Sequence, residues 1–312
     1  MINKQLHIPI MLNEVIKFLN IKKNGIYLDA TFGYGGHSKK ILQNLGKEGK
    51  IFAIDKDPES KKYSNTINDS RLHFIHGNFS KIYHYAKKLN FIKKINGIII
   101  DLGVSSPQLD NPKRGFSFMK DGPLDMRMNP QENITASKWL LQTKENNLFK
   151  ILKNYGEESY AKKIACAIIQ QNKKKPITRT LELSNLIEKI VSKKYRKKHP
   201  ATKSFQAIRI FINNELEEIK ILLKNVINIL TPGGRLLIIT FHSLEDRIVK
   251  NFINQNSNQK IIPINLPINE TILSEKCNFR FKKIDKINPT KQEINTNKRS
   301  RSATLRIAEL IK

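Results

Sequence analysis

The sequence predicts an α/β protein with a doubly wound sheet and an inserted helical domain. Short apolar runs alternate with helical patterns along the chain, which is typical of parallel strands joined by helices. The fourth and fifth runs are separated by more residues than one crossover helix needs, so we expect an insertion there. A glycine-rich turn follows the first run, as in sheets that bind nucleotides at the carboxyl ends of their strands.

Five apolar runs are the predicted strands, at residues 25–28, 51–54, 72–76, 98–100 and 236–241. The fourth run is continuously apolar, as expected of a central parallel strand that is buried on both faces. Residues 303–308 alternate between apolar and polar side chains and predict an edge strand. Residues 286–299 are polar, and we expect them to be mobile.

One long helix is predicted between Phe205 and Leu230, because apolar residues recur there at steps of three and four. The stretch before it holds helical patterns over residues 136–152 and 160–171. We therefore assign residues 1–105 and 200–312 to the sheet domain and residues 106–199 to an inserted helical domain that recognises the substrate. Lysine runs in the insertion, at residues 173–175 and 193–198, form either a basic binding face or merely solvated loops.

The amino-acid composition limits which classes of protein this chain can belong to. No run of about 18 apolar residues exists in the 312-residue sequence, so no membrane-spanning helix is expected. Cys166 and Cys277 are the two cysteines, and they predict neither a metal site nor a disulfide framework, as expected for a cytoplasmic protein. The net charge of +29 indicates a polyanionic partner, usually nucleic acid. The alternative is a general bias toward Lys, Asn and Ile that leaves many lysines as solvated surface.

Polar or glycine-rich groups follow four of the predicted strands. Gly33, Gly35 and Gly36 let the backbone approach a ligand closely, and the following helix offers unpaired N–H groups. Asp55 lies 22 positions after Gly33, a spacing suited to accepting hydrogen bonds from ribose hydroxyls. Phe79 can place its ring against a purine. These positions predict a nucleoside-containing cofactor.

The glycine turn favours S-adenosylmethionine over a dinucleotide. The dinucleotide fingerprint G-x-G-x-x-G needs a third glycine that this turn does not place correctly. Asp29 and Asp101, at the ends of the first and fourth strands, suit a ligand that carries an ammonium and a sulfonium group. A nicotinamide-dependent dehydrogenase remains the alternative on a similar sheet.

Eight motifs run in order along essentially the whole chain, and several of them are long and unusual. They lie at residues 29–38 (DATFGYGGHS), 101–110 (DLGVSSPQLD), 114–118 (RGFSF), 122–128 (GPLDMRM), 199–203 (HPATK), 205–210 (FQAIRI), 241–247 (FHSLEDR) and 297–303 (NKRSRSA). Together they resemble the motifs of the bacterial small-subunit rRNA cytidine-N4 methyltransferase family, RsmH or MraW.

The resemblance implies a class I methyltransferase fold with S-adenosylmethionine as methyl donor. The acceptor implied is the exocyclic amino nitrogen of a cytidine in the decoding region of 16S rRNA, so the partner is this rRNA or the small ribosomal subunit. The sequence leaves monomer and homodimer open. The cofactor contacts that the family motifs place in this sequence are Gly35, Gly36, His37, Asp55, Phe79, Asp101 and Gln108.

Catalytic residues are less well defined by the sequence. Many amino-methyltransferases carry an Asn/Asp-Pro-Pro-aromatic motif after the fourth strand, and this chain has Asp-Leu-Gly-Val instead. Candidates to orient the amine or accept its proton are Asp101, Ser105, Ser106 and His242. The serines could equally cap a turn, and His242 could bond the backbone at a strand end. Methylation at carbon 5 is disfavoured because no cysteine lies near the fourth strand. A non-catalytic RNA-binding module remains the second alternative.

Overall fold

The chain forms two compact units in a computed structural model, which describes residues 9–132, 134–191, 199–257 and 280–311. The first unit, here the sheet unit, comprises residues 1–103 and 216–312. The second, the helical unit, comprises residues 104–215. The lysine run at 193–198 and Cys277 lie outside the described residues.

The sheet has seven strands in the order β3-β2-β1-β4-β5-β7-β6 within the described residues. Strands β1 to β5 pair in parallel, and β7 pairs antiparallel with both β5 and β6. This arrangement confirms the predicted doubly wound, Rossmann-like α/β fold. The strands are β1 (Ile26–Asp29), β2 (Lys50–Asp55), β3 (Leu72–His76), β4 (Ile95–Asp101), β5 (Leu230–Thr240), β6 (Phe281–Ile287) and β7 (Thr304–Leu310).

The helices flank this sheet or build the helical unit. Before the insertion they are α1 (Leu12–Leu19), α2 (Gly36–Asn44), α3 (Pro58–Ser64) and α4 (Ile82–Lys88). The helical unit holds α5 (Ser106–Asp110), α6 (Ala136–Gln142), α7 (Glu145–Gly156), α8 (Ala161–Lys174), α9 (Thr180–Ile190) and α10 (Thr202–Ile212). After it come α11 (Glu215–Ile229), α12 (Ser243–Gln255) and α13 (Lys291–Thr296). Within the described ranges, no helix is long and apolar enough to cross a membrane.

Strand β4 shows why the central run is apolar throughout. Successive side chains of a strand point to opposite faces of the sheet. Ile98 and Ile100 accordingly belong to one apolar cluster of the sheet unit, and Ile99 belongs to the cluster on the other face. All three are fully buried, so a polar residue at any of these three positions would lose packing.

The prediction of a single helix from Phe205 to Leu230 is wrong, because the structure has two helices there, α10 and α11, separated by a short turn. Asn214 has a φ of 51°, a left-handed conformation that cannot continue a right-handed helix. Phe205 belongs to the core of the helical unit, whereas Leu223 belongs to a core of the sheet unit. The boundary between the units therefore lies at residue 215 rather than 199, and the first boundary lies at 104 rather than 106.

The C-terminal segment also departs from its prediction. Residues 286–299, expected to be mobile, include the end of β6 and all of α13. Strand β7 is not an edge strand, because it lies between β5 and β6. Strand β6 is the edge strand, and only its first residue, Phe281, is fully buried. Its remaining residues are largely polar, which is why the sequence did not predict a strand there.

Candidate ligand-binding site

The glycine turn lies between β1 and α2, at the carboxyl edge of the sheet. Gly35 has a φ of +73°, a conformation that favours glycine, and it precedes the first residue of α2. A Cβ on Gly35 would lie 2.6 Å from the Phe32 ring, and one on Gly36 would overlap the ring of Pro9. Side chains of the chain itself therefore fill the space beside these two glycines, in addition to any ligand that approaches the turn.

His37 lies in the first turn of α2 and is buried. Its Nε2 is 3.1 Å from the carbonyl oxygen of Ile10, so the imidazole contacts the segment that precedes α1. The side chain thus does not point into solvent. A ligand at the start of α2 would meet the backbone amides of the helix N-terminus rather than a freely moving imidazole.

Asp55, the last residue of β2, is bonded to the glycine turn. Its Oδ2 accepts a hydrogen bond from the N–H of Gly33 at 2.6 Å, and its Oδ1 accepts one from the N–H of Asp57 at 2.8 Å. Burial raises the pKa of the Asp55 carboxyl, and these two backbone hydrogen bonds oppose that rise. The predicted ribose-binding carboxylate and the predicted glycine turn therefore form one structural unit.

Three carboxyl groups interact electrostatically: Asp29 and Asp101 at the ends of β1 and β4, and Glu245 in the first turn of α12. Burial raises the pKa of Asp101 to about 8, and the charges of Asp29 and Glu245 add to the rise. Burial likewise raises the pKa of Asp29 to about 6, against a hydrogen bond from Ser38 Oγ at 2.7 Å. Asp101 Oδ1 is buried and has no hydrogen-bond partner among the described residues. Such a cluster favours a cationic ligand, which would relieve the repulsion.

The backbone of Asp101 is also fixed. Its N–H donates to Thr31 Oγ1 at 2.6 Å, which joins the end of β4 to the turn that follows β1. Neither Thr31 nor Glu245 was among the residues predicted from the sequence. Glu245 is detectable in principle, because it lies three residues after the residue that caps α12, the spacing of a capping box. Thr31 carries no comparable signal.

His242 precedes α12 and is held by that helix. Its Nδ1 accepts the N–H of Glu245 at 3.4 Å, and its Nε2 lies 3.1 Å from Glu245 Oε1. Glu245 Oε2 also accepts the N–H of Phe241 at 2.8 Å. The imidazole therefore stabilises the start of α12, as in the structural alternative considered for it above.

Phe79 begins a short 3-10 helix after β3 and is partly buried against the core of the sheet unit. Asn78 caps this helix, because its Oδ1 accepts the N–H of Ser80 at 2.9 Å. The Asn78 amide donates in turn to Glu218, a buried residue of α11. Glu218 was not predicted from the sequence either, since adjacent acidic residues on a helix are usually solvated.

Ser105, Ser106 and Gln108 belong to the helical unit. Ser105 caps α5: its Oγ accepts the N–H of Gln108 at 3.4 Å, and Gln108 Oε1 accepts the N–H of Ser105 at 2.9 Å. Ser106 is the first residue of that helix. The other predicted site residues lie in the sheet unit, around the carboxyl ends of β1, β2, β3, β4 and β5: Gly35, Gly36, His37, Asp55, Phe79, Asp101 and His242.

Comparison with known proteins gives matches along nearly the whole chain. A profile of the MraW methylase family matches residues 4–311. A protein of Buchnera aphidicola subsp. Schizaphis graminum, called Ribosomal RNA small subunit methyltransferase H, is 55% identical over 304 residues, which cover 97% of each chain. A protein of the same name from Hamiltonella defensa is 50% identical over 311 residues and covers 100% of each chain. The crystal structure of an rRNA methylase from Streptococcus thermophilus superposes with a TM-score of 0.39 at 13% identity, covering 96% of this chain and 94% of that one.

Proposed function

Because the chain belongs to the MraW methylase family, we propose that it is a 16S rRNA methyltransferase. It transfers a methyl group from S-adenosylmethionine to the exocyclic N4 amino group of a cytidine in the decoding centre. The observation that supports this most directly is the identity of 50–55% to relatives called Ribosomal RNA small subunit methyltransferase H. The small ribosomal subunit or its rRNA is then the partner, and a cytoplasmic location stays a prediction.

The residues at the carboxyl edge of the sheet suit S-adenosylmethionine. The unpartnered Oδ1 of Asp101 and the buried carboxyl of Asp29 favour the cationic end of this cofactor. Asp55 can accept hydrogen bonds from ribose hydroxyls, and the ring of Phe79 can contact adenine. The backbone at Gly35, Gly36 and His37 and the side chain of Gln108 complete the proposed set.

When bound, S-adenosylmethionine supplies an electrophilic methyl carbon. The chain has to supply orientation, because the lone pair of a cytidine amino group is delocalised into the ring. We assign the orienting role to Asp101 or to a backbone carbonyl near it. The amino nitrogen loses one proton as it gains the methyl group. Asp101 can accept that proton once the positive charge of the bound cofactor lowers the raised pKa of its carboxyl and keeps it ionised. Ser105 and His242 are less suited, because both already cap helices.

Contact with rRNA phosphates is proposed for Arg299 and Arg301, which are exposed in the 3-10 helix before β7. Arg306 is a third arginine near the C-terminus, but its side chain has a structural role. Its Nε and Nη2 donate to the carboxylate of Asp246 at 2.7 and 2.8 Å, so it joins β7 to α12. The lysines at 173–175 are exposed at the end of α8, and we propose them as a second surface for contact with rRNA phosphates.

The decisive experiment incubates the protein with radiolabelled S-adenosylmethionine and either small ribosomal subunits or naked 16S rRNA, followed by mapping of the labelled nucleotide. We expect label on the N4 nitrogen of one cytidine. Label on carbon 5 would contradict the proposed reaction, and cofactor binding without any transfer would indicate a non-catalytic RNA-binding module. Asp101→Asn should lower turnover at saturating cofactor, and unchanged turnover would exclude Asp101 as the orienting group.

A further inference from the structure

Glu218 connects the ends of two strands through one carboxylate. It lies in the first turn of α11 and is 9% exposed. Its Oε2 accepts a hydrogen bond from Lys56 Nζ at 3.0 Å, in an ion pair whose two side chains are each 12% exposed. Its Oε1 accepts a hydrogen bond from the side-chain amide of Asn78. One helix residue therefore bonds to the residue that follows β2 and to the loop that follows β3.

Each partner of Glu218 adjoins a residue of the proposed cofactor site. Lys56 follows Asp55 directly, and Asn78 precedes Phe79 directly. Asn78 also caps the 3-10 helix that Phe79 begins, through the N–H of Ser80. The position of Phe79 therefore depends on an amide side chain that Glu218 holds from the other side.

We propose that Glu218 is a positioning residue, which fixes Asp55 and Phe79 for the nucleoside end of the cofactor. This inference rests on the proposed function and deepens it, because it names which part of the ligand depends on α11. Glu218 itself does not contact the ligand in this proposal. It acts through Lys56 on the ribose-binding carboxylate and through Asn78 on the ring that contacts adenine.

Backbone hydrogen bonds join the ends of β2 and β3 at this corner of the sheet. The N–H of Gly77 donates to the carbonyl of Asp55 at 2.8 Å, and His76 Nε2 lies 3.2 Å from the carbonyl of Lys56. Strand β3 lies at the edge of the sheet, and within the described ranges no further strand supports it from outside. The bonds to Glu218 attach both strand ends to the helix layer, and removing its carboxylate would leave the Lys56 ammonium without this anionic partner.

The test uses two ligands that distinguish binding of the nucleoside end of the cofactor from binding of its amino-acid end. S-adenosylhomocysteine contains both ends, whereas 5′-methylthioadenosine keeps the nucleoside and lacks the amino acid. Glu218→Ala should weaken both ligands by the same factor, about tenfold, as expected when a mutation loosens the residues that shape a site. In methyl transfer, the KM for S-adenosylmethionine should rise while kcat at saturating cofactor stays unchanged.

Glu217→Ala is the matched control on the same helix. Glu217 is exposed, and its Oε1 pairs with Lys220 Nζ at 2.6 Å. Its loss should leave the affinity for both ligands unchanged. Lys56→Met removes the Lys56 bond to Glu218 and keeps the bond from Asn78, so it should give a smaller loss of affinity. This variant keeps the proposal testable if Glu218→Ala does not fold.

Three outcomes would overturn the inference. The first is a Glu218→Ala protein that binds both ligands as tightly as Glu217→Ala does. The second is a lowered Tm with unchanged affinity well below that Tm, which would indicate a purely structural role. The third is a loss confined to S-adenosylhomocysteine, which would place the effect at the amino-acid end. Failure of the wild-type protein to bind either ligand would instead contradict the proposed function, so the two failures are distinguishable.

Discussion

The N–H of Gly33 donates to Asp55 Oδ2 at 2.6 Å and so joins the turn after β1 to the end of β2. A carboxylate can accept about four hydrogen bonds through its two oxygens. Asp55 uses one on the N–H of Gly33, one on the N–H of Asp57 and one on the side chain of Ser60, which leaves capacity for a ribose hydroxyl. The same side chain thus holds the shape of the turn and remains able to bind a ligand.

Asp55→Ala should lower the affinity for S-adenosylhomocysteine by about 10- to 100-fold, because a charged acceptor contributes about 1.5–3 kcal/mol. Isothermal titration calorimetry measures the change. Asp285→Ala, which removes an exposed carboxylate from the edge strand β6, serves as the control and should bind normally. An affinity of Asp55→Ala within twofold of the wild type would exclude Asp55 from the site.

Comparing the stability of Gly35→Ala with that of Gly233→Ala distinguishes the cost of backbone strain from the cost of steric overlap. Both glycines have a positive φ, +73° and +76°, so alanine strains the backbone at either position, by about 1–2 kcal/mol. Only at Gly35 does the added Cβ also meet a side chain, the Phe32 ring, whereas nothing lies within 4 Å at Gly233. We expect Gly35→Ala to be destabilised by a further 1–3 kcal/mol or so, measured by urea unfolding. Equal losses in the two variants would mean that the Phe32 ring moves aside at no cost.

The raised pKa of Asp101 predicts a pH-dependent stability of the ligand-free protein. Between about pH 4 and pH 8, Asp101 is protonated in the folded state and ionised in the unfolded chain. Unfolding then releases a proton, so stability falls as the pH rises through this window and levels off above it.

Asp101→Asn removes the titrating carboxyl and therefore the fall in folding stability that it causes as the pH rises. The variant should therefore gain stability relative to the wild type from pH 5 to pH 8, and the difference should stay constant at higher pH. Urea unfolding at a series of pH values gives the comparison, with Asp285→Asn as a control for removing one exposed carboxylate. Parallel curves for Asp101→Asn and the wild type would show that Asp101 ionises normally.

The salt dependence of rRNA binding tests the arginines before β7. The double variant Arg299→Gln, Arg301→Gln should reduce the slope of log affinity against log salt by about 1.4–1.8, since each phosphate contact contributes about 0.7–0.9. Arg306→Gln breaks the pair with Asp246 and should lower the Tm with little change in that slope. A slope unchanged in the double variant would remove these two arginines from the rRNA interface.

The sequence predicted the strand positions well because buried parallel strands need long apolar side chains. The runs before Asp55 and Asp101 are fully apolar, and both aspartates lie at strand ends as expected. The break at Asn214 could not be predicted, since the apolar period continues through it from Ile208 to Ile219. Only the structure shows that this one period serves two separate cores.

The site was predictable where backbone geometry leaves a pattern and unpredictable where distant side chains meet. The glycines and Asp55 follow a known spacing. The electrostatic effect of Glu245 on Asp101 and the hydrogen bond between Asn78 and Glu218 each involve residues more than 100 positions apart, and no local pattern reports such pairs. Pro9 beside Gly36 is a further example, because the two residues are distant in the sequence and only the fold brings them together.

The position of β7 bears on synthesis of the protein by the ribosome. Strand β5 pairs on one side with β7, and Thr240 meets Thr304 there, 64 residues later in the chain. At about 5–20 residues per second, the nascent chain holds β5 with an open side for about 3–13 s. Premature termination before Thr304 would leave the backbone N–H and C=O groups on that side of β5 without a partner strand, and such truncated products should aggregate or recruit chaperones.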